Sequence, residues 1–199
     1  MARIARKHLL YPDCYAHVFS RSSGQYGIFQ DQADFEKFKA LMIQIKALGN
    51  FKIYHYCLMN AHFHMAVRIS DIDKFSQALH YIKRDYTFWH NKKYHRVGPL
   101  WRERFKSLLI EDERYMYACG LYIEGNPIKA GLVKRCSDWL HSSSRYYEKG
   151  AVDDVVDGYD PPPLPEEIDL ADGRKFTKGR GIGSRLFTIY LSEETGRMN

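Results

Sequence analysis

Apolar positions in the first 150 residues switch between the period of about 3.6 that is typical of helices and the period of two that is typical of strands. From Asp31 to Leu48 the apolar side chains recur at helical spacing, at Phe35, Phe38, Leu41, Met42 and Ile45. The segment 50–59 instead alternates as a strand, and after a break at Asn60 the segment 62–69 has the pattern of a second strand. These two strands are predicted to form a hairpin.

The order of the predicted elements indicates a fold class. A β-rich segment at 14–22 precedes the first helix, and a second helix follows the hairpin over about 71–94. A strand is predicted at 104–110, and the helix after it should stop near Gly125 and Pro127. The order β-α-β-β-α-β-α predicts an α+β, ferredoxin-like (RRM-like) antiparallel sheet with helices packed on one face.

Positive charge is concentrated in one short region. The whole chain has a formal net charge of +6, and the segment 81–110 alone holds eight Lys and Arg residues against only Asp85 and Glu103. Such clustering favours a nucleic-acid-binding surface over an ordinary solvated face, and an indole nearby offers a stacking surface for unpaired bases. The predicted DNA-binding residues are Lys83, Arg84, Lys92, Lys93, Arg102, Arg104, Lys106 and Trp101.

The sign of the charge reverses after residue 150. The segment 151–172 contains eight Asp and Glu residues, no Lys or Arg, and the proline-rich run "DPPPLP". Sequence of this kind cannot build a core and usually forms a linker. We therefore predict a first domain at 1–150, followed at 151–199 by an acidic, proline-rich linker and a basic C-terminal extension.

Several classes of protein are disfavoured by what the sequence lacks. No apolar run approaches the roughly 20 residues of a membrane span, and the start "MARIARKHLLYPD" lacks the apolar stretch of a signal peptide. A cytoplasmic protein without a membrane partner is expected. The four cysteines lie far apart without a CxxC pair, so neither a zinc knuckle nor a disulfide framework is predicted. No P-loop is present, and no nucleotide cofactor is expected.

The stretch "CLMNAHFHMAV" places two histidines in an otherwise apolar strand. Because successive side chains alternate between faces, His62 and His64 should project from one face of the sheet while Phe63 packs on the other. Two neutral imidazoles so placed can share one metal ion. The competing interpretation is a pair of half-exposed histidines without a ligand.

A second candidate group lies in "YACGLYIEGNPIKAGLV". Tyr122 and Asn126 are four residues apart and should share one helix face, so that the Asn126 amide oxygen could serve as a metal ligand and Tyr122 as a nucleophile. A core tyrosine and a C-capping asparagine are the competing interpretation. Tyr115 and Tyr117 on the same helix are rivals that spacing alone does not exclude.

Three motifs in order, "HFHMAV", "GPLWRERFKSLLIEDERY" and "YIEGNPIKAGLV", resemble the single-tyrosine HUH transposases of the REP-associated type over roughly residues 9–148. The chain departs from the family at Ala61, where "PNH" is common before the first histidine, and at Gly125, where a larger helix former is usual. The segment "GRGIGSRLFTIYLSEETGR" is similar to a C-terminal extension of some members.

The resemblance implies a chemistry. It implies that Tyr122 is the nucleophile, that His62, His64 and Asn126 hold Mg or Mn, and that 1–150 is the catalytic domain. The implied activity is a metal-dependent transposase that cleaves and rejoins single-stranded DNA, hairpin or palindromic, through a 5′-phosphotyrosine. Members of the family act as monomers or homodimers.

Two other functions remain compatible with the residues. A non-catalytic, RRM-like module would bind single-stranded nucleic acid while the histidines and Tyr122 only pack or stack. A replication initiator or conjugative relaxase would use the same motif but usually carries a helicase, for which this chain is too short. Metal dependence and a covalent DNA adduct separate the catalytic functions from the binding module.

Overall fold

The protein is built around a four-stranded sheet. The computed structural model describes residues 10–24, 27–110, 113–158, 167–169 and 175–177. Its main elements are β1 (Cys14–Arg21), α1 (Gln32–Gly49), β2 (Phe51–Met59), β3 (His62–Ile69), α2 (Ile72–Lys93), β4 (Lys106–Ile110), α3 (Glu113–Lys129) and α4 (Ser144–Lys149). The strand order is β2-β3-β1-β4, and every neighbouring pair is antiparallel. This is the order of a ferredoxin-like sheet, so the predicted fold class is confirmed.

Helices α1 and α2 cover one face of this sheet. Phe38, Met42 and Ile45 of α1, with Phe75 and Ile82 of α2, are at most 1% exposed. Burying each such side chain contributes roughly 1.5–3 kcal/mol before the entropy of ordering is counted. The apolar spacing seen in the sequence is therefore the pattern that attaches both helices to the sheet.

Aspartates begin both long helices. The Asp31 carboxylate accepts a hydrogen bond from the Asp34 N–H at 3.1 Å, and the Asp34 carboxylate accepts one from the Asp31 N–H at 3.2 Å. Asp71 likewise accepts from the Lys74 N–H at 3.0 Å. Each cap is worth about 1 kcal/mol because it pairs an N–H that the helix leaves unbonded. The predicted limits of both helices are confirmed to within about two residues.

The third helix lies on the opposite face of the sheet. Met116, Cys119 and Ile123 of α3 are fully buried there in one apolar cluster with Cys57 and Ala66 of the sheet. The expectation that helices share one face thus holds for α1 and α2 but not for α3. The physical reason is that β2 and β3 carry apolar side chains on both faces, and each face needs a cover.

Helix α3 ends at Lys129, two residues beyond the predicted stop near Gly125 and Pro127, so that the proline lies inside the helix. Pro127 has no N–H to donate to the Ile123 carbonyl one turn earlier. The side-chain Nδ2 of Asn126 supplies that hydrogen bond at 3.2 Å and also donates to the Tyr122 carbonyl at 2.9 Å. The asparagine therefore compensates for the proline and lets the helix pass through it.

The first part of the segment assigned to the acidic linker packs on the domain. The Tyr56 hydroxyl donates to the Asp153 carboxylate at 2.6 Å, and the Ile53 N–H donates to that of Asp157 at 2.7 Å. Lys46 bonds the same Asp157 at 3.0 Å, and Val155 is 1% exposed. Beyond it a short hairpin of β5 (Glu167–Asp169) and β6 (Lys175–Thr177) is described, and the rest of the predicted extension lies outside the described residues.

The four cysteines are free thiols, and three of them, Cys14, Cys57 and Cys119, are buried. Burial raises the pKa of the Cys57 thiol well above its usual value, which favours the unreactive protonated form. Within the described ranges, no helix combines the length and apolar character that crossing a membrane requires.

Candidate active site

Strand β3 directs its two histidines toward α3. Phe63 points into the core beneath α1 and α2, whereas His64, 8% exposed, lies against the α3 face. In the sheet register His62 pairs with Arg21 and His64 with Phe19. The prediction that both histidines leave one face of the sheet is confirmed.

Backbone hydrogen bonds fix the turn before His62. The Asn60 carbonyl accepts from the Ile28 N–H at 2.6 Å and from the Phe29 N–H at 3.1 Å. The Ala61 carbonyl accepts from the Ser22 N–H at 2.8 Å. The start of β3 is thus anchored to two other segments through backbone atoms that every residue type supplies.

His64 is enclosed by aromatic rings. Its Nδ1 lies 2.9 Å from Nε2 of His17, and the two rings are nearly parallel with centroids 5.1 Å apart. Phe19 lies nearly parallel to it at 5.7 Å. Burial lowers the pKa of His17 to about 3 and that of His64 well below the ordinary 6.5. Both imidazoles are therefore neutral at pH 7, the form that binds metals.

His62 and Asn126 lie together at the edge of this cluster. Burial lowers the pKa of His62, the charge of Arg21 lowers it further, and a hydrogen bond with the Asn126 side chain opposes both. Because both hydrogens of the Asn126 amide nitrogen are directed at helix carbonyls, its oxygen is the atom left to face His62.

Tyr122 is the tyrosine of α3 that lies against the histidines. Its ring centroid is 5.8 Å from those of His17 and His64, edge-on to both, and the residue is 5% exposed. Burial and the charge of Glu124 raise the pKa of Tyr117. Tyr115 packs at the border of the apolar cluster beneath α3. Among the three tyrosines, the ring contacts with the histidines therefore favour Tyr122.

The donor set at this site fits a divalent cation. Two rings that bind one ion through nitrogens about 2.1 Å from it have centroids about 5 Å apart, and those of His62 and His64 are 5.1 Å apart. In the described part of the chain no three His, Cys, Asp or Glu side chains could hold a metal. The candidate third donor here is of another type, the amide oxygen of Asn126.

A buried polar cluster attaches α3 to β2. His55 Nδ1 lies 2.8 Å from the Glu124 carboxylate, which also accepts from the Ser143 hydroxyl at 2.6 Å. Gly120 packs directly against the His55 ring, and a Cβ at this position would come within 2.6 Å of that ring. Glu124 lies between Tyr122 and Asn126 in sequence. The cluster therefore anchors the part of α3 that carries these two side chains.

Most of the predicted DNA-binding residues lie along one groove. Its volume is about 930 Å³, between α2 and the segment 96–105. Phe88 and Val97 contribute apolar surface that is 75% and 98% exposed. Five of the eight predicted residues line the groove: Lys83, Arg84, Lys92, Trp101 and Arg104.

The remaining three predicted residues do not line this groove. Lys93 Nζ binds the carboxylates of Asp31 at 2.6 Å and Asp34 at 2.7 Å, and these contacts raise its pKa against the effect of desolvation. Lys106 binds Glu103 at 3.1 Å and lies over the Phe19 ring. Arg102 is exposed, and its backbone N–H donates to the backbone carbonyl of Arg21 at 3.0 Å, which connects the groove to the strand end beside His62.

Sequence reasoning missed three residues around the histidines. His17 and Arg21 follow the period-two pattern of β1, but only the position of that strand beside β3 brings them to His64 and His62. Lys129 lies one turn after Asn126 on α3, and its charge lowers the pKa of His64. A signal for Lys129 existed, since it is three residues from Asn126 and seven from Tyr122, on the same helix face.

Each of three comparisons with known proteins finds a transposase. The sequence model of the family described as "Transposase IS200 like" matches residues 11–126, more than half of the chain. A Haemophilus influenzae protein that carries the name REP-associated tyrosine transposase is 27% identical over 103 residues, which span 47% of this chain but only 58% of that relative. A solved REP-associated tyrosine transposase, described as bound to a REP hairpin, shares the fold at a TM-score of 0.63 and 19% identity, over 89% of this chain and all of that one.

Proposed function

This chain belongs to the IS200-like transposase family, and on that premise we propose that it is a metal-dependent transposase. It cleaves and rejoins single-stranded DNA through a 5′-phosphotyrosine intermediate. The observation that carries the proposal is the convergence of Tyr122, His64 and His62 on one face of the sheet, with ring centroids 5.8 and 5.1 Å apart. Strand β3 and helix α3, which carry these residues, are remote from each other in sequence. A tyrosine that only packed in the core would not require two neutral histidines beside it.

Tyr122 supplies the nucleophile. Its phenolic oxygen forms a bond to the scissile phosphorus as the bond from phosphorus to the 3′ oxygen breaks. The phenol releases its proton, the departing 3′ oxygen takes one up, and the products are a 5′-phosphotyrosine and a free 3′-hydroxyl. The reverse attack by a 3′-hydroxyl rejoins DNA without ATP, because the bond energy is kept in the phosphotyrosine.

His62, His64 and Asn126 are the residues that would hold Mg²⁺ or Mn²⁺. When bound, such an ion neutralises charge that develops on the scissile phosphate. The exposed cations Arg21 and Lys129, which act electrostatically on His62 and His64, attract the same phosphate to the site.

The groove beside α2 supplies the path of the DNA. Arg84, Lys92 and Arg104 on its rim are exposed and can neutralise phosphates, while Phe88 offers a ring for an unpaired base. Arg102 continues the path to Arg21 and the histidines. The relative solved with a REP hairpin supports a hairpin as the substrate of this chain too.

A labelled-strand cleavage assay tests the proposal. The full chain is incubated with Mn²⁺ and a pool of single-stranded oligonucleotides that contain one stable hairpin and randomised unpaired flanks. A label at the 3′ end should enter a denaturation-resistant protein adduct, whereas a label at the 5′ end should appear in a shortened free fragment. EDTA should abolish both. Binding of the pool without any adduct would instead support the non-catalytic module.

Removing the three exposed groove cations together, as Arg84→Ala, Lys92→Ala and Arg104→Ala, should weaken binding of the hairpin pool. The slope of log affinity against log salt should fall by about two, since each phosphate contact to single strands contributes about 0.7. A matched control removes three exposed lysines elsewhere, Lys52, Lys74 and Lys134, with the same loss of charge. Equal losses in both triple variants, measured by fluorescence anisotropy, would contradict a specific groove.

A further inference from the structure

His17 lies directly behind His64. It is completely buried in β1, the strand adjacent to β3, and its Nε2 is 2.9 Å from Nδ1 of His64. The small side chain of Ala66 is directly opposite His17 in the register and leaves room for the two nearly parallel rings. Neither residue is exposed enough for bulk water to take over this hydrogen bond.

A hydrogen bond between two neutral imidazoles has one donor and one acceptor, and the choice determines the tautomer of both rings. If His64 donates from Nδ1, its Nε2 carries a lone pair and can bind a metal. If His17 donates from Nε2, then His64 carries its hydrogen on Nε2, and that nitrogen cannot be a ligand. The direction of one buried hydrogen bond therefore decides whether His64 can coordinate.

We propose that His17 is a positioning residue that accepts the Nδ1 hydrogen of His64 and so keeps the His64 Nε2 lone pair directed at the metal site. The inference rests on the proposed function in that it takes His64 as a ligand. Partners of this kind raise the affinity of a ligating histidine because they fix both its tautomer and its ring orientation. Phe19 and Tyr122, packed against both rings, restrict any rotation that would break the alignment.

Nitrogen NMR of the metal-free full chain tests the tautomer without any catalysis. With ¹⁵N-labelled histidine at neutral pH, His64 should show a protonated Nδ1 and an unprotonated Nε2. The opposite tautomer in the wild-type chain would overturn the proposal. This measurement does not depend on whether the protein cleaves DNA or binds a metal.

A pair of variants then tests the consequence. His17→Gln retains an acceptor, since the amide oxygen falls near the position of the imidazole Nε2, whereas His17→Phe retains only the ring. Mn²⁺ affinity, measured by electron paramagnetic resonance, should fall about 10- to 100-fold in the Phe variant and stay within about threefold of wild type in the Gln variant. Circular dichroism checks that both variants fold.

The outcomes separate this inference from the proposed function. Wild-type affinity in a folded His17→Phe variant would overturn the positioning role. If that variant does not fold, the Gln variant and the wild-type tautomer decide, and a His64 lone pair lost in the Gln variant despite a normal fold counts against the proposal. A wild-type chain with the expected tautomer but without Mn²⁺ binding would refute the metal-dependent function and leave the His17 to His64 hydrogen bond established.

Discussion

Tyr122→Phe should abolish the covalent DNA adduct, by about 10³-fold or more, while the affinity for hairpin DNA changes by less than about twofold. The substitution removes one hydroxyl, the proposed nucleophile, and retains the ring that packs edge-on against His17 and His64. The net charge of the protein is unchanged. Adduct formation is measured on denaturing gels with a 3′-labelled strand, and affinity by anisotropy of the same strand.

Tyr115→Phe is the matched control for this prediction. The same hydroxyl is lost from the same helix, seven residues earlier, where the ring packs at the border of the apolar cluster. Adduct formation should persist in that variant. If the adduct instead survives in Tyr122→Phe and disappears in Tyr115→Phe, the role of nucleophile passes to Tyr115 and the assigned site is wrong.

Glu124→Ala should lower the free energy of unfolding by about 3 kcal/mol or more. The carboxylate is 8% exposed and serves both His55 Nδ1 and the Ser143 hydroxyl, so its removal leaves two buried polar groups without this partner. The measurement is urea denaturation followed by circular dichroism. Because the same cluster attaches α3 to β2, the variant should also lose adduct formation at temperatures where it is still folded.

Two further variants show whether the hydrogen bonds or the side-chain volume matter. Glu124→Gln retains an acceptor for the Ser143 hydroxyl and should lose less than half as much stability as the alanine variant. Glu148→Ala removes an exposed glutamate of α4 and should change stability by less than about 0.5 kcal/mol. A loss below about 1 kcal/mol for Glu124→Ala would mean that the cluster contributes little to holding α3.

Charge clustering illustrates a limit of sequence reasoning. Eight cations within thirty residues predicted a nucleic-acid surface, and five of the residues named for it, four cations and Trp101, do line one groove. Lys93, from the same cluster, binds Asp31 and Asp34 of α1 instead. Nothing in a run of basic residues distinguishes a lysine that faces solvent from one that the fold pairs with a distant carboxylate.

Local patterns alone determined the elements, the fold class and half of the candidate site. Aspartate caps and apolar spacing defined α1 and α2, since both act within one turn of a helix. The shared face of His62 and His64 follows from the period of two in a strand, and the pairing of Tyr122 with Asn126 follows from the helical turn. None of these relations extends beyond four residues, so the chain determines them wherever the element lies.

Only the tertiary structure decided which of these elements meet. It put α3 over the second face of the sheet and packed Asp153 and Asp157 against the domain rather than in a linker. It also joined His17 to His64 and His55 to Glu124, pairs that are 47 and 69 residues apart. Contacts at such separations depend on strand order and on which buried polar groups find partners, and these are properties of the assembled core that no local pattern contains.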